Sequence, residues 1–261
     1  MVSGTSVQGN LDAAGKLLAQ AGAQGAELAV LPEYFCLLGL HDTDKLQVQE
    51  APGKGPIQDF LSQTAKSLGL WLVGGTLPMA TSDPGRVKNS SLVYDPSGRC
   101  VARYDKIHLF RFDNGAERYD ESRVLEAGTQ VVGFNVASRD GNTYRIGMSV
   151  CYDLRFPELY RKLAADVLLV PSAFTYTTGQ AHWEILLRAR AIENLAFVLA
   201  PAQGGLHDNA RRTWGHSMIV DPWGQILAIV DQGAGVIMPD VLKETLQVAR
   251  TRLPALNHGV L

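Results

Sequence analysis

An α/β fold is predicted: an α-β-β-α sandwich of two mixed sheets with helices outside, built as a single domain on an internal pseudo-repeat. Two observations carry that expectation. Helical stretches with apolar and alanine positions three and four apart alternate with short apolar runs of strand length. A strand-turn-strand unit punctuated by Asp-Pro-X-Gly then occurs once in each half of the chain, at Ser91–Ala102 and again at Ser217–Ala228.

Leu11 to Ala23 reads as a helix ended by Gly22 and Gly25, and Ala26 to Leu31 as the buried strand it feeds. Ile57 to Leu68 and Leu70 to Gly75 repeat the pair. Ser90 to Tyr94 and Cys100 to Tyr104 flank Asp95-Pro96-Ser97-Gly98. Proline presets φ and glycine tolerates positive φ, so a hairpin is expected there. In the second half, Ala165–Pro171 resembles Glu27–Pro32, a Leu- and Ala-rich helix spans Trp183–Asn194, and a strand follows at Ala196–Ala200.

With 261 residues, 46% of them hydrophobic, the chain has enough apolar mass for one large core. The formal charge of −2 is spread without a basic block or acidic tail, which points away from nucleic acid and membrane surfaces and toward a small-molecule partner. Cys36, Cys100 and Cys151 are an odd set without CxxC spacing, so neither a disulfide framework nor a zinc site is expected, and a reducing cytoplasm fits. The six histidines form no HxxxH or HExxH pair, and no metal or other cofactor is expected. No apolar stretch approaches membrane-spanning length, and the N-terminus lacks a secretion-signal pattern.

Three fragments carry chemistry. Cys151 stands where the apolar run Gly147–Val150 gives way to the charged, turn-like Tyr152–Glu158, the place where a strand presents a nucleophile at its end. Glu33 follows the apolar strand and Pro32. Lys106 interrupts a strand-like stretch, Tyr104 to Phe110. A carboxylate, an ammonium and a thiol are the parts needed to cleave an amide through a thioester. Taken singly, each has a bland explanation: a buried cysteine acting as a small hydrophobe, a solvated loop glutamate, an edge-strand lysine. The chemical reading requires all three to converge in space.

The fragments Leu31-Pro32-Glu33-Tyr34-Phe35, Tyr104-Asp105-Lys106-Ile107-His108 and Cys151-Tyr152-Asp153-Leu154-Arg155-Phe156-Pro157, in that order, resemble the Glu-Lys-Cys signature of the nitrilase, or carbon-nitrogen hydrolase, superfamily. The similarity continues through Pro171–Phe174, Ala181–Glu184, Leu187–Glu193 and Trp214–Met218, and so covers nearly the whole of 1–261 as one carbon-nitrogen hydrolase domain. It is nearest the Nit-type amidase branch. True nitrilases usually carry Trp-Glu after the cysteine, where this chain has Tyr152-Asp153, so amide cleavage is implied.

The resemblance implies Glu33 as general base, Cys151 as nucleophile, and Lys106 with the Tyr152 N–H as oxyanion donors. Glu121 matches a second glutamate that some members place after the lysine motif, with Glu117 as its competitor. Arg155, four residues after the nucleophile, is the candidate for holding a substrate carboxylate, its alternative being a structural pair with Asp153 or Glu158. Phe174 and Thr178 match pocket-lining positions. Arg188 and Arg190 are assigned to salt bridges with Glu184 and Glu193, and His182 and Trp183 to packing. The implied reaction is hydrolysis of the primary amide of a small carboxylate-bearing substrate to acid and ammonia. Deaminated glutathione is the first choice and α-ketoglutaramate the second, and a catalytically silent scaffold is the remaining alternative.

A homodimer or higher homo-oligomer is also implied, with 242–261 as a candidate arm, unless that segment covers its own sheet. Relatives open with a strand ending in Gln-Met, whereas Met1-Val2-Ser3-Gly4 starts where such a strand is already over. A missing or truncated N-terminal strand, leaving a gap or an exposed strand edge, is therefore expected.

Overall fold

The computed structural model describes residues 1–260. Five α-helices, α1 (Val7–Ala23), α2 (Pro56–Leu68), α3 (Pro157–Leu163), α4 (Tyr176–Asn194) and α5 (Lys243–Arg252), enclose two sheets. In the first sheet, β1 (Leu28–Val30) pairs with β2 (Trp71–Val73). Strands β2 and β3 (Leu77–Ala80) share one edge of β4 (Val87–Tyr94), whose other edge takes β5 (Cys100–Asp105). Two short hairpins stand apart: β6 (Arg111–Asp113) with β7 (Arg118–Asp120), and β12 (Gly204–Leu206) with β13 (Arg212–Trp214). The second sheet runs β15 (Ile226–Val230), β14 (Ser217–Val220), β11 (Phe197–Ala200), β10 (Val167–Leu169), β9 (Thr143–Met148), β8 (Gly133–Ala137).

The repeat is visible as shared topology. In the first half β1 runs parallel to β2, which is antiparallel to β4, which turns into β5; in the second, β10 runs parallel to β11, which is antiparallel to β14, which turns into β15. Both turns are built alike. The Asp95 and Asp221 carboxylates accept the N–H groups of Ser97 and Trp223 at 2.9 and 2.8 Å, and Gly98 and Gly224 take φ of 83° and 82°. Only glycine adopts that backbone without strain.

Strand alternation sorts side chains between two layers. Leu72, Leu92 and Tyr94 pack with Leu11, Leu18, Ile57 and Leu61 of α1 and α2. Their strand neighbours Val73 and Val93 face the other way and join Tyr104, Phe134 and Ile146 in the core between the sheets. Trp183, Leu187 and Ala191 of α4 cover the second sheet, which completes the sandwich. Helices α1 and α4 begin earlier than their apolar periodicity, because the hydroxyls of Ser6 and Thr175 cap them by accepting from Gly9 and Thr178 N–H.

Residues Met1 to Ser6 form no strand. Met1 is buried, its carbonyl accepts from Gly204 N–H, and that of Gly4 accepts from Leu38 N–H. Beside it, a cavity of about 550 Å³ is lined by the β1 edge at Leu28 and Val30, by Ala200 and Met218, and by Ile237 and Val241. It shares no lining residue with the Cys151 pocket described below.

Helix α5 covers its own sheet. Leu246 is buried, and Asp166, just before β10, binds Lys243 Nζ at 2.7 Å and Arg250 Nη1 at 2.8 Å. Residues 253–260 beyond it are exposed, and Leu261 lies outside the described residues. Burial acts to raise the Asp166 carboxyl, but Lys243, the Arg145 N–H and Arg250 outweigh it and hold the group below its ordinary value. A depressed folded value contributes stability above the ordinary carboxylate range and loses it as pH falls through the folded value. Acidification is therefore expected to loosen α5. Asp166→Asn should do so at neutral pH by only roughly 1 kcal/mol, because the lysine and arginine are 24% and 32% exposed and screened by solvent. Amide hydrogen exchange of α5 across pH measures both effects; an α5 indifferent to pH and to the substitution would refute the assignment.

Candidate active site

The site forms where strands end. Glu33 lies beyond β1, Lys106 directly follows β5, Cys151 comes three residues after β9, and Ala173 four after β10. The chain turns sharply at Cys151, whose φ is +51°, an orientation that costs a non-glycine residue on the order of 1 kcal/mol or more. Its surroundings hold it there. Cys151 N–H donates to Pro171 O at 3.0 Å. The buried Asp153 carboxylate accepts from Val150 N–H at 2.8 Å, Tyr104 OH at 2.7 Å and His108 N–H at 3.0 Å, with His108 Nδ1 2.6 Å away. The His108 ring stacks on Phe156 at 3.6 Å. Asp153→Ala would strip these donors of their acceptor in the core. A loss of about 3 kcal/mol in urea denaturation is expected, together with a fall in kcat; unchanged stability would show that the carboxylate does not hold the turn.

Glu33 and Lys106 are both buried and joined at 2.9 Å through Glu33 Oε1. That oxygen also accepts from Asn89 Nδ2 at 2.9 Å, and Oε2 accepts from Ala173 N–H at 2.9 Å, so the carboxylate is tied to both halves of the molecule. Lys106 is thus no edge-strand lysine. Its ammonium also meets both oxygens of Glu121, at 3.0 and 2.9 Å. Glu121 is fixed in turn by Phe110 N–H at 2.7 Å and Tyr34 OH at 2.9 Å. Glu117 sits instead on the exposed β6–β7 hairpin, accepting from Thr177 Oγ1 at 2.8 Å.

Electrostatics follow from two carboxylates and one ammonium around a buried sulfur. Burial pushes the Cys151 thiol well above its ordinary range and the Glu33 charge adds to this, while the Lys106 ammonium pulls the other way. Burial would pull Lys106 down, yet Glu121 and Glu33 overcome it and hold it above its ordinary value. Glu121 is held low, Lys106 and the Phe110 N–H outweighing the effect of burial. Burial therefore favours the thiol form of Cys151, with a carboxylate at hand to take its proton.

The pocket over Cys151 is lined by Glu33, Glu121, Tyr152, Arg155, Phe174 and Thr178, among others. Its free volume is about 10 Å³, the space of roughly one water, so the rim must open for a substrate. Arg155 contacts neither Asp153 nor Glu158; its Nη2 meets His182 Nδ1 at 3.3 Å, and the guanidinium faces the rings of Tyr152 and Phe174 at 5.7 Å each. The Tyr152 N–H has no acceptor among the described residues. Thr178 is buried, and its hydroxyl bonds that of Thr175 at 2.7 Å. Trp183 packs on Phe174, and Arg188 and Arg190 pair with Glu184 and Glu193 at 3.1 and 2.7 Å. All of the sequence candidates except Glu117 and Lys106 line this one pocket, and Lys106 lies against its floor through Glu33 and Glu121.

Several residues of the site escaped the sequence reading, among them Tyr34, Asn89, Asp153, Ala173 and Arg211. The polar run Lys88-Asn89-Ser90-Ser91, between Val87 and the apolar Leu92-Val93, was the available signal for Asn89. Arg211, in the turn of the β12–β13 hairpin, carried none.

A carbon-nitrogen hydrolase model matches residues 3–251. Deaminated glutathione amidase of Synechocystis sp. (strain PCC 6803 / GT-S) is 40% identical over 265 residues, covering 100% of this chain and 96% of that protein. Omega-amidase NIT2 of Xenopus tropicalis is 35% identical over 94% of this chain and 87% of its own length. The crystal structure of XC1258 from Xanthomonas campestris, a CN-hydrolase superfamily protein with an arsenic adduct in its active site, superposes with a TM-score of 0.83 at 31% identity, covering 100% of this chain and 96% of that one. The match along almost the whole length, over a fold that brings the ordered glutamate, lysine and cysteine motifs together, means that this chain belongs to the carbon-nitrogen hydrolase family.

Proposed function

We propose that this chain is a cysteine-dependent amidase whose preferred substrate is deaminated glutathione, with α-ketoglutaramate as the second reading. The observation that carries the chemistry is the contact of Glu33 and Glu121 with one ammonium, Lys106, beside the Cys151 sulfur. Glu33 takes the Cys151 proton as Sγ attacks the amide carbon. The developing oxyanion is met by the Lys106 ammonium and the Tyr152 N–H, and one preorganised donor of this kind is worth about 3 kcal/mol of barrier. Protonated Glu33 then gives its proton to the departing nitrogen, leaving a thioester on Cys151. Water deprotonated by Glu33 attacks that thioester, the acid leaves, and the proton returns to sulfur. The sum is amide plus water giving acid plus amine. Glu121 serves by holding Lys106 in place.

The leaving group differs between the two substrates. α-Ketoglutaramate releases ammonia. Deaminated glutathione is joined through an internal amide, so its leaving group is the amine of cysteinylglycine, and the expectation of a primary amide holds for the second substrate only. The 40% identity to a deaminated glutathione amidase favours the first. Arg155, free of carboxylate partners, supports recognition of a substrate carboxylate. The test is the ratio of kcat/KM values for the two compounds; hydrolysis of neither compound beyond the Cys151→Ala background would overturn the reading.

The same reading includes a homodimer, supported by the exposed apolar side chains Ile185, Ile192 and Trp223 on α4 and the β14–β15 turn, with the exposed Leu253 and Leu256 of the C-terminal arm as a second contact. It also includes a cytoplasmic location, supported by three unpaired cysteines. Among the described residues no helix is long and apolar enough to cross a membrane.

A further inference from the structure

Arg211 lines the same pocket as Cys151. Its backbone N–H donates to Asn209 Oδ1 at 2.9 Å, which fixes the hairpin turn, and its Nη2 donates to Ala173 O at 3.0 Å. The guanidinium lies 5.1 Å from the centre of the Tyr119 ring. Its Nε is buried and has no acceptor among the described residues, and no carboxylate of those residues lies within ion-pair distance. Other arginines withdrawn from solvent are spent differently. Arg103, Arg190 and Arg250 each bind a carboxylate, at 2.7, 2.7 and 2.8 Å. Among the described arginines that are not exposed, the two whose guanidiniums lack a carboxylate, Arg155 and Arg211, are the two that line the Cys151 pocket. A desolvated cation without an anion is costly to maintain, and an unpaired buried N–H adds to that cost.

We propose that Arg211 determines specificity by binding, through Nε, a second substrate carboxylate distinct from the one at Arg155, so that the site selects amides with a carboxylate on each side of the scissile bond. The inference rests on the amidase reading above. Of the two substrates considered, deaminated glutathione has carboxylates on both sides and α-ketoglutaramate on one. Arg211 thereby supplies the discrimination that Arg155 alone does not.

The experiment compares wild type, Arg211→Gln and Arg211→Lys on both compounds. Losing a charge-assisted contact should raise KM for deaminated glutathione roughly tenfold or more in Arg211→Gln, with a much smaller change for α-ketoglutaramate, so that the ratio of kcat/KM values moves by about the same factor. Arg211→Lys should restore part of it. Equal losses on both substrates, or a fall in kcat alone, would mean that Arg211 merely supports Ala173 and Glu33, and either outcome overturns the proposal. If wild type hydrolyses neither compound, the amidase reading fails separately. Calorimetric titration of Cys151→Ala with both compounds then decides the inference. Arg211→Gln in that background should weaken deaminated glutathione selectively, and unselective weakening, no weakening or no binding would reject it.

Discussion

Cys151→Ala is expected to lower kcat for amide hydrolysis by roughly 10⁴-fold or more while leaving the fold intact, because no other sulfur can take its place. Cys36 is buried in the layer packed with α1 and α2 and does not line the pocket, its thiol pushed up to about 12, chiefly by burial, and Cys100, on β5, is exposed. Alanine keeps the Cβ, so the left-handed φ of +51° is no more strained than before, and the Asp153 acceptor network that holds the turn is untouched. What disappears is the only group positioned to form the acyl bond. Rapid quenching with intact-mass measurement should find an acyl adduct on wild type under substrate and none on the variant. Turnover by Cys151→Ala within a hundredfold of wild type would move the reaction to another nucleophile and discard the mechanism.

How much of this was legible in the sequence follows from which interactions are local. The Asp-Pro-X-Gly turns could be read because their side chains bond their own backbone: Asp95 and Asp221 each accept N–H groups two and four residues on. The paired helices and strands could be read from periodicity. The β6–β7 and β12–β13 hairpins could not, since their strands are three residues long and hold a single large apolar or aromatic residue each, with too few positions to show alternation. Those two hairpins deliver Glu121 and Arg211. The partners of Glu33 were hidden for another reason: Asn89 and Ala173 lie 56 and 140 residues away in the chain, and only the closed sandwich brings them within reach. Cys151, Glu33 and Lys106 stood out through an ordered family pattern rather than through physical chemistry alone, which had left each of them with an equally plausible bland role.

Lys106→Met is expected to damage both stability and turnover, and the two effects can be separated. In the native protein one ammonium neutralises two buried carboxylates, Glu33 and Glu121. Glu121, held low, contributes stability that is present above the ordinary carboxylate range and lost as pH falls through its folded value; Lys106, held high, contributes stability that is present below the ordinary lysine range and lost as pH rises through its folded value. The cluster is therefore most stabilising between those ranges. Methionine leaves two like charges facing each other out of water, at an expected cost of about 3 to 5 kcal/mol near neutral pH. One carboxyl then recovers part of that by taking up a proton, so the variant should gain stability on mild acidification where wild type gains none. Adding Glu121→Gln to Lys106→Met removes one of the opposed charges and should recover much of the stability. It cannot return the cation that meets the oxyanion, and kcat should stay roughly 10² to 10³ below wild type in both variants. Urea midpoints across pH, measured beside kcat, distinguish the contributions. A double variant that regains turnover along with stability would reduce Lys106 to a structural counter-ion and leave the oxyanion to the Tyr152 N–H.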